Sequence, residues 1–483
     1  MPYSSKWKAH NRRIVTQVLQ IDSLVDEQQL GRFNVNLLIW SFLAMFADGY
    51  DIGALSFAQP ELQTLWHVPK AAFGPASSAS LFGILFGAPL LGYVGDRFGR
   101  KGAIILGSVV YGLSSLAIVW THNLEQVIAL RFITGLGLGG LMPNTISLTS
   151  ELSPKRWRAT LIVLMFAGIT LGSSAPGFVA YWLMPRYGWT VLFIVGGLVP
   201  LVVAACLVRT LPESVKYLAL RGNRPRELLA IARRMRPDLE IHDDAHFLAQ
   251  RPASASAVAL AELFAGSLSR ITPLLWMCFA TALMSNYFLN SFLPLIFRDS
   301  GMPAGQAALA ATMYHVGGTV GGLLMSVLLD RFGFVVIAAL FAVAVPAIAA
   351  LGLVQMSFTT LAPLATLAGL AVLGAQFGNN AASGLLYATP VRSKGVGLAL
   401  GVGRFGAILG PLIGGKLLGM SLPARQLFLA AAAPMLIGTI AAVVLVRLCH
   451  LRLGGLRLGD VPASSLEQRA PGAVGAGDGA PVR

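Results

Sequence analysis

The chain has 483 residues, of which 55% are hydrophobic and only 12% are charged, whereas a soluble domain is typically about a quarter charged. This composition excludes an ordinary soluble domain and indicates an integral membrane protein. The net charge of +15 does not indicate nucleic-acid binding, because the basic residues cluster in short loops between apolar segments. Cys206, Cys278 and Cys449 have no paired spacing, so neither a disulfide framework nor a metal site is predicted.

Residues 1–35 are polar and charged, so they are predicted to form an N-terminal segment without a cleavable signal peptide. Runs of roughly 20 apolar residues follow, and each is long enough to cross a bilayer as a helix. These runs predict an N-terminal six-helix unit, 36–210, and a C-terminal one, 271–449. The twelve predicted spans lie at about 36–58, 73–94, 102–121, 124–149, 159–183, 189–210, 271–297, 305–329, 334–354, 358–384, 395–420 and 424–448.

The distribution of basic residues between the predicted loops indicates the orientation. Nine lie in the short loops on one side: Arg97, Arg100, Lys101, Lys155, Arg156, Arg158, Arg331, Arg392 and Lys394. The loops on the other side hold four: Lys70, Arg186, Arg298 and Arg425. Because loops rich in Lys and Arg stay in the cytoplasm, both termini are predicted to be cytoplasmic.

The first span contains two aspartates, Asp48 and Asp51, in an otherwise apolar stretch. A charge near the bilayer centre costs a few kcal/mol on insertion scales, so carboxylates there usually line a polar cavity or carry protons. On a helix the two residues rise roughly 4.5 Å relative to each other and lie about 60° apart, so one cavity can contact both. Two carboxylates in a low-dielectric cavity do not both ionise readily, which predicts a proton carrier. A structural role stays open for each: pairing with an arginine and, for Asp48, capping a helix break at Gly49.

The loop after the second span carries a pattern of glycines and charges, at Gly92, Asp96, Arg97, Gly99, Arg100 and Lys101. An acid at a helix end can meet the N-terminal dipole of a facing helix, and arginines can pair with acids at other inner helix ends. We therefore predict a conformational gate here. Glu151, after span four, is the predicted partner of Arg97, and Arg156 belongs to the same gate.

Two segments differ from the apolar spans. Residues 211–270 contain a helical pattern with arginines on the polar face, which predicts a cytoplasmic linker with interfacial helices along the membrane surface. Residues 450–483 are rich in Gly, Ala and Pro and lack apolar periodicity, so this cytoplasmic tail is predicted to be disordered.

The two halves of the chain repeat each other. The Asp-Arg-Phe-Gly sequence after span two recurs 234 residues later, beginning at Asp330 and Arg331. A Pro-x-Arg element after span four has a counterpart after span ten that ends at Arg392. These residues extend the predicted gate to the second half. Phe334 and Val335 stand where the first copy has its last two basic residues, so the stronger gate is expected in the first half.

Arg404 lies about ten residues into span eleven, which places it near the midplane. A guanidinium there matches a carboxylate bidentately and stays charged, so an anionic substrate is predicted. Arg131 lies near the outer end of span four, and either substrate contact or pairing with an aspartate of span one is open. Stacking rings and amides would bind an aromatic substrate, although each could instead be packing in the bundle. The candidates are Asn286, Tyr287, Asn290, Tyr314, His315, Gln376, Phe377, Asn379 and Asn380.

Three glycine-rich segments fit or nearly fit nucleotide-binding motifs, at residues 135–140, 401–406 and 410–416. None follows a strand, so the pattern lacks the structural context that phosphate binding needs. Glycines at such spacing in apolar helices let backbones pack closely. No cofactor is predicted.

The pattern from Gly92 to Lys101 is similar to the signature loop of the major facilitator superfamily. Within that superfamily the chain resembles the aromatic acid:proton symporters over roughly residues 20–450. The resemblance implies an all-α membrane protein of 12 transmembrane helices in two six-helix pseudo-symmetric bundles, with its site at the midplane between them. Pro212-Glu213-Ser214 is weaker evidence, because sugar porters also have it. The discriminating elements are Asp48-Gly49-Tyr50-Asp51 and Gly403-Arg404-Phe405-Gly406.

Together with these observations, the resemblance implies a proton-coupled symporter that imports an aromatic carboxylate of the benzoate and hydroxybenzoate class across a bacterial inner membrane. An anion that moves toward a negative interior works against about 2.3 kcal/mol per 100 mV, so proton cotransport is energetically sensible. An enzyme is not predicted, because no nucleophile with its base is placed in a membrane cavity. Two alternatives stay open: a symporter of another organic anion, such as a sugar acid or dicarboxylate, and a non-transporting membrane sensor. We expect a monomer whose partners are the ring acid, the proton and the lipid bilayer.

Overall fold

The computed structural model describes residues 17–243, 245–249, 260–266, 268–355, 357–387 and 389–453. Twelve long helices dominate this part of the chain, and we number them α1 to α12. Their bounds are Arg32–Trp66 (α1), Phe73–Phe98 (α2), Arg100–Ala117 (α3), Leu124–Leu152 (α4), Lys155–Trp182 (α5), Thr190–Thr210 (α6), Leu268–Asp299 (α7), Ala304–Phe332 (α8), Val335–Leu351 (α9), Phe358–Leu386 (α10), Thr389–Gly419 (α11) and Ala424–Leu453 (α12). Beyond Leu453, the predicted disordered tail lies outside the described residues.

Ten of these helices are long and apolar enough to cross a bilayer. Of the other two, α8 has 29 residues and α9 is a shorter apolar helix of 17 residues. Each of the twelve overlaps one span predicted from the sequence. The prediction of an all-α membrane protein with twelve transmembrane helices is therefore confirmed.

The two halves pack in the same way. In the first half α2 lies against α4 and α1 against α5, and in the second α8 lies against α10 and α7 against α11. Glycines allow the close approach: a Cβ on Gly135 would meet the backbone of Ser80, and a Cβ on Gly369 would meet the backbone of Tyr314. These two pairs are also 234 residues apart, so the sequence repeat is a repeat of helix packing.

Successive spanning helices alternate in direction, so the connections fall on two faces of the bundle. The linker face carries the α2–α3 loop, the α4–α5 loop and the connection between α6 and α7. The opposite face carries the connections at residues 67–72, 183–189 and 300–303.

The connection between α6 and α7 contains two short helices, Val215–Arg221 and Pro225–Met235. Leu228 and Ile231 of the second helix are buried in the same apolar cluster as Leu152, at the end of α4. The sequence predicts that this helix lies along the membrane surface. In the structure its apolar side is buried against the linker-face ends of the first-half helices, and its position relative to the membrane stays a prediction.

The N-terminal segment is attached to the same region. The strand Val18–Gln20 pairs in parallel with His246–Leu248, and the helix Ile21–Asp26 follows directly. Ile21 and Val25 are buried in the apolar cluster that also holds the linker helices. The sequence gives no indication of this two-stranded pairing, because each strand is only three residues long.

The two halves touch between the middle of the membrane region and the opposite face. Ser78 Oγ of α2 donates a hydrogen bond to the Ile408 carbonyl of α11 at 2.9 Å. On the opposite face, Lys70 Nζ lies 2.5 Å from Asp299 Oδ2. These contacts bring the halves together on that side of the central region.

Candidate functional site

A cavity of about 200 Å³ lies between the two halves. It occupies the middle of the helices and extends toward the linker face, because Met142, Asn380 and Leu400 of its wall lie on that side. Nine residues predicted from the sequence line this central cavity: Asp48, Asn286, Tyr287, Asn290, His315, Gln376, Phe377, Asn380 and Arg404. The fold thus gathers side chains from five helices into one site.

Arg404 is the middle residue of α11, 15 residues from each end. The packing of α11 on α7 sets its direction: a Cβ on Gly406 would meet the backbone of Ala280. Phe405, the next residue, points away from the cavity and is 59% exposed. Arg404 therefore lies in the wall of the central cavity, which Asp48 also lines.

Asp48 lies in the cavity wall because its neighbours face protein. A Cβ on Gly49 would meet the backbone of Ile169 in α5, and the Tyr50 hydroxyl donates to the Leu192 carbonyl at 3.1 Å. Helix α1 is continuous through this region, so a helix break at Gly49 is not observed. Within the described part of the chain, no residue donates a hydrogen bond to the Asp48 carboxylate.

Asp51 and Arg131 form a buried ion pair. Arg131 Nη1 lies 2.6 Å from Asp51 Oδ1, and the two side chains are only 4% and 3% exposed. Ser80 Oγ donates to the other carboxylate oxygen at 3.5 Å. This geometry answers the question left open for Arg131, which pairs with an aspartate of the first span. The pair lines a separate small cavity of about 20 Å³ instead of the central one.

Two further predicted residues differ in position from the rest. Asn290 lines both cavities, and its Nδ2 donates to the Ile52 carbonyl at 3.0 Å, so it connects α7 to the aspartate-bearing helix. Tyr314 does not line the central cavity. It is fully buried behind the wall, where its hydroxyl donates to Asn286 Oδ1 at 2.9 Å, so it supports a wall residue.

Apart from Asp48, the first half supplies a largely apolar part of the cavity wall that the sequence does not predict. Its members include Ile84, Leu138, Phe166 and Ile169, with Thr170 beside them. Apolar residues in membrane helices carry no local signal that separates a cavity wall from bundle packing or a lipid-facing surface. Their role follows only from the positions of α2, α4 and α5 around the cavity.

The predicted gate pairs its charges differently from the sequence expectation. Arg100 Nη1 lies 2.5 Å from Asp96 Oδ1, and Arg100 Nη2 lies 3.9 Å from Glu151 Oε1. Ser214 Oγ donates a hydrogen bond to the other Glu151 oxygen. Glu151 therefore contacts Arg100 and not the predicted partner, Arg97.

Arg97 has other contacts. Its Nη1 donates to the Tyr93 hydroxyl at 2.5 Å, and its guanidinium lies 5.7 Å from the centre of the Phe98 ring. Its carbonyl accepts hydrogen bonds from Tyr217 at 3.2 Å and Arg221 at 3.0 Å. The α2–α3 loop is thus attached to the first linker helix through Arg97.

Glu213 is a functional candidate that the sequence analysis did not single out. Its carboxylate accepts a hydrogen bond from the Lys101 backbone N–H at 3.2 Å and another from the Ser214 N–H at 2.9 Å. It thus lies at the N-terminus of α3, where the helix dipole favours an acid. Burial raises the pKa of the Glu213 carboxyl, and the backbone hydrogen bonds oppose this shift. In the sequence, only the Pro-Glu-Ser element points to Glu213. Sugar porters also have this element, so alone it does not indicate a role for the residue.

Gly99→Ala is expected to lower the stability of the protein. Gly99 has a φ of +112°, a conformation that costs a non-glycine residue about 1–3 kcal/mol, and a Cβ there would meet the Glu213 carboxylate. Thermal unfolding of the purified protein measures the effect as a lower Tm. Gly102→Ala is the matched control, because the space around a Cβ at Gly102 is open and alanine favours a helix. Equal Tm values for wild type and Gly99→Ala would contradict the expected strain.

The remaining gate residues predicted from the sequence have different surroundings. Arg331 lies over the Phe332 ring at 5.3 Å, and Arg392 Nε donates to the Tyr387 carbonyl at 3.1 Å. Arg156 is exposed, and a Cβ on Gly92 would meet open space. The side chain of Asp330 lies outside the described residues. In the part of the chain that the structure describes, no group of His, Cys, Asp or Glu could hold a metal ion.

The family comparison agrees with this architecture. The model of the Major Facilitator Superfamily matches residues 41–272 and 275–464, which include both halves. The chain belongs to the Major Facilitator Superfamily. Its members and the relatives of this chain are transporters and not enzymes, so this member of the superfamily is a multi-pass membrane transporter.

Several relatives match this superfamily member over most of their length. The 4-hydroxybenzoate transporter PcaK of Pseudomonas putida is 35% identical over 437 residues, which are 89% of this chain and 96% of the relative. A gallate transporter of the same species is 32% identical over 88% of this chain and 94% of its own. The benzoate transport protein of Acinetobacter baylyi is 31% identical, with 89% and 93% covered.

Solved structures share the fold of this superfamily member. The xylose transporter XylE of E. coli, in a partially occluded inward open conformation, has a TM-score of 0.64 at 17% identity and covers 86% of this chain and 98% of its own. A D-xylose-proton symporter has a TM-score of 0.65 at 16% identity, with 85% and 97% covered. At this identity the likeness concerns the fold alone.

Proposed function

We propose that the protein is a proton-coupled symporter that imports an aromatic carboxylate of the benzoate and hydroxybenzoate class. The observation that carries the proposal is the central cavity, whose wall holds Arg404 and Asp48 together with apolar residues of the first half. The printed names of the relatives, which include transporters of 4-hydroxybenzoate, gallate and benzoate, support the same substrate class.

In this proposal the two ends of the substrate meet different walls. Arg404 binds the carboxylate, because its planar guanidinium can donate two parallel hydrogen bonds to the two oxygens. The ring packs against Ile84, Leu138 and Phe166 of the first half, where apolar burial stabilises it. Asn286 and Gln376 of the second half provide polar groups for ring substituents.

Coupling to protons follows from competition for Arg404. When Asp48 is ionised, its carboxylate interacts with the guanidinium and opposes the binding of a second anion. A proton on Asp48 removes that charge, so the substrate carboxylate can bind Arg404. Substrate and proton are therefore carried together. The buried pair of Asp51 and Arg131 lies next to this site and belongs to the same coupling region.

The protein faces the cytoplasm in this conformation. With the linker face in the cytoplasm of a bacterial inner membrane, both termini are cytoplasmic and this state is inward-facing, because the halves touch toward the opposite face. Transport then requires the halves 36–210 and 271–449 to rock about the central site. Arg100, Glu151 and Asp96 would hold the inner helix ends during this motion. The transport unit is a monomer.

Uptake into vesicles tests the proposed function. Vesicles that contain the purified protein are given a proton gradient directed inward, with the outside more acidic than the inside. The substrates offered are benzoate, 4-hydroxybenzoate, protocatechuate, a sugar acid and a dicarboxylate. Accumulation of the ring acids, abolished by a protonophore, is the expected result, because the proton gradient drives the anion inward. Accumulation of only the non-aromatic acids would overturn the assigned substrate class. Uptake that is unaffected by the pH gradient would overturn the coupling.

A further inference from the structure

A chain of hydrogen bonds leads from a tyrosine buried behind the central cavity to two amides in its wall and links three helices of the second half. The Tyr314 hydroxyl of α8 donates to Asn286 Oδ1 of α7 at 2.9 Å. Asn286 Nδ2 in turn lies 3.4 Å from Gln376 Oε1 of α10 and donates to it. Asn286 and Gln376 line the cavity, whereas Tyr314 is fully buried behind them.

The buried end of this relay determines which way both amides point. A buried hydroxyl proton needs an acceptor, and among the hydrogen bonds of the described residues Asn286 Oδ1 is the one that Tyr314 reaches. The nitrogen of Asn286 must then face Gln376, so that Gln376 presents its oxygen to Asn286. The reverse orientation of the two amides would leave the Tyr314 proton without an acceptor.

Gln376 is therefore left with its NH2 group to offer. Its side chain is only partly buried although it lies in the middle of the bundle, because it borders the cavity. The cavity thus has a fixed hydrogen-bond donor on α10 in addition to the charged donor, Arg404, on α11. Gln376 and Arg404 line the same cavity, so one bound aromatic acid could contact both donors.

We propose that Gln376 is a specificity-determining residue that donates a hydrogen bond to a ring hydroxyl of the substrate, and that Tyr314 and Asn286 position it. This inference rests on the proposed function and narrows it to ring acids that carry a hydroxyl. The second donor adds affinity for a hydroxyl oxygen and adds nothing for an unsubstituted ring. Because a neutral hydrogen bond contributes modestly, the preference of 4-hydroxybenzoate over benzoate is roughly 3- to 10-fold.

The test measures binding of benzoate, 4-hydroxybenzoate and 4-aminobenzoate to the purified full chain by titration calorimetry. Wild type is expected to prefer 4-hydroxybenzoate over benzoate. In Gln376→Met, which keeps a similar volume without an N–H donor, that preference should fall to about one while the affinity for benzoate changes less than twofold. Should Gln376→Met fail to fold, Gln376→Leu carries the same comparison.

Tyr314→Phe tests the positioning role, because it removes the hydroxyl that orients both amides. The two amides can then reverse, so Gln376 can also accept a hydrogen bond, and 4-aminobenzoate should bind better relative to 4-hydroxybenzoate than in wild type. A merely structural role for Tyr314 would lower all three affinities by the same factor. That result would overturn the relay.

Arg404→Ala is the contrasting variant, because it should weaken both acids equally and keep their ratio. An unchanged preference for 4-hydroxybenzoate in Gln376→Met would overturn the assignment of this residue. Equal wild-type affinities for benzoate and 4-hydroxybenzoate would overturn the inference and leave the proposed function standing. If wild type bound no ring acid, both would fall.

Discussion

Arg404→Ala is expected to weaken the binding of benzoate to the purified protein by roughly 30- to 150-fold, which corresponds to about 2–3 kcal/mol for a hydrogen bond to a charged group. The reason is that Arg404 provides a permanently charged guanidinium in the middle of α11, in the wall of the central cavity. Arg404→Lys should also bind poorly, because a point ammonium does not reproduce the two parallel hydrogen bonds of the guanidinium. Titration calorimetry measures both variants.

The control for Arg404 is the next residue. Phe405→Leu changes a side chain that is 59% exposed on the other side of the helix, so it should bind benzoate with wild-type affinity. Benzamide, the uncharged analogue, should bind wild type and Arg404→Ala equally weakly. A wild-type preference for benzoate over benzamide that survives unchanged in Arg404→Ala would refute the role of Arg404 in binding the carboxylate.

Asp48→Asn is expected to abolish accumulation driven by a pH gradient and to preserve the exchange of substrate across vesicles at equal pH. An amide does not take up and release a proton, but it also does not repel the substrate carboxylate from Arg404. In wild type the affinity for the ring acid should rise as the pH falls, because protonated Asp48 no longer competes for the guanidinium. In Asp48→Asn that affinity should be independent of pH. Calorimetry and vesicle uptake measure the two properties separately.

Asp51→Asn provides the comparison for Asp48. Removing Asp51 leaves Arg131 buried without its ion-pair partner, and breaking a buried pair costs about 3–5 kcal/mol. A clearly lower Tm is therefore expected for Asp51→Asn, whereas Asp48→Asn should unfold near the wild-type temperature. Accumulation at the wild-type rate in Asp48→Asn would remove this residue from the coupling mechanism.

The sequence was sufficient to identify the site residues that are charged and lie in apolar spans. Asp48 and Arg404 are recognisable because ionisable residues in the middle of apolar spans are expensive and therefore indicate function. Both do line the central cavity. The polar candidates Asn286 and Gln376 were identified for a similar reason and lie in the same wall. The apolar residues opposite them were not, because in a membrane helix Phe166 looks like any other packing residue.

The pairing of charges was less predictable than their presence. Arg97 and Arg100 are close in sequence, but Gly99 with its positive φ ends α2 and begins α3 between them. Both arginines contact a residue four positions earlier, Asp96 for Arg100 and Tyr93 for Arg97. Spacing along the chain does not predict their contacts with distant segments: Arg100 lies 3.9 Å from Glu151, whereas the Arg97 carbonyl accepts hydrogen bonds from the linker.

By itself the sequence determined the fold class, the number of spans, the repeat of the two halves and the charged residues of the site. These properties follow from local composition and spacing, which set where apolar helices begin and end. The tertiary structure decided which helix faces contact each other. In the tertiary structure Asp51 forms an ion pair with Arg131, whereas Asp48 lines the central cavity. Hydrogen bonds connect Tyr314, Asn286 and Gln376. Helix α1 has almost no amphipathic pattern, so the direction of each side chain depends on packing between distant segments.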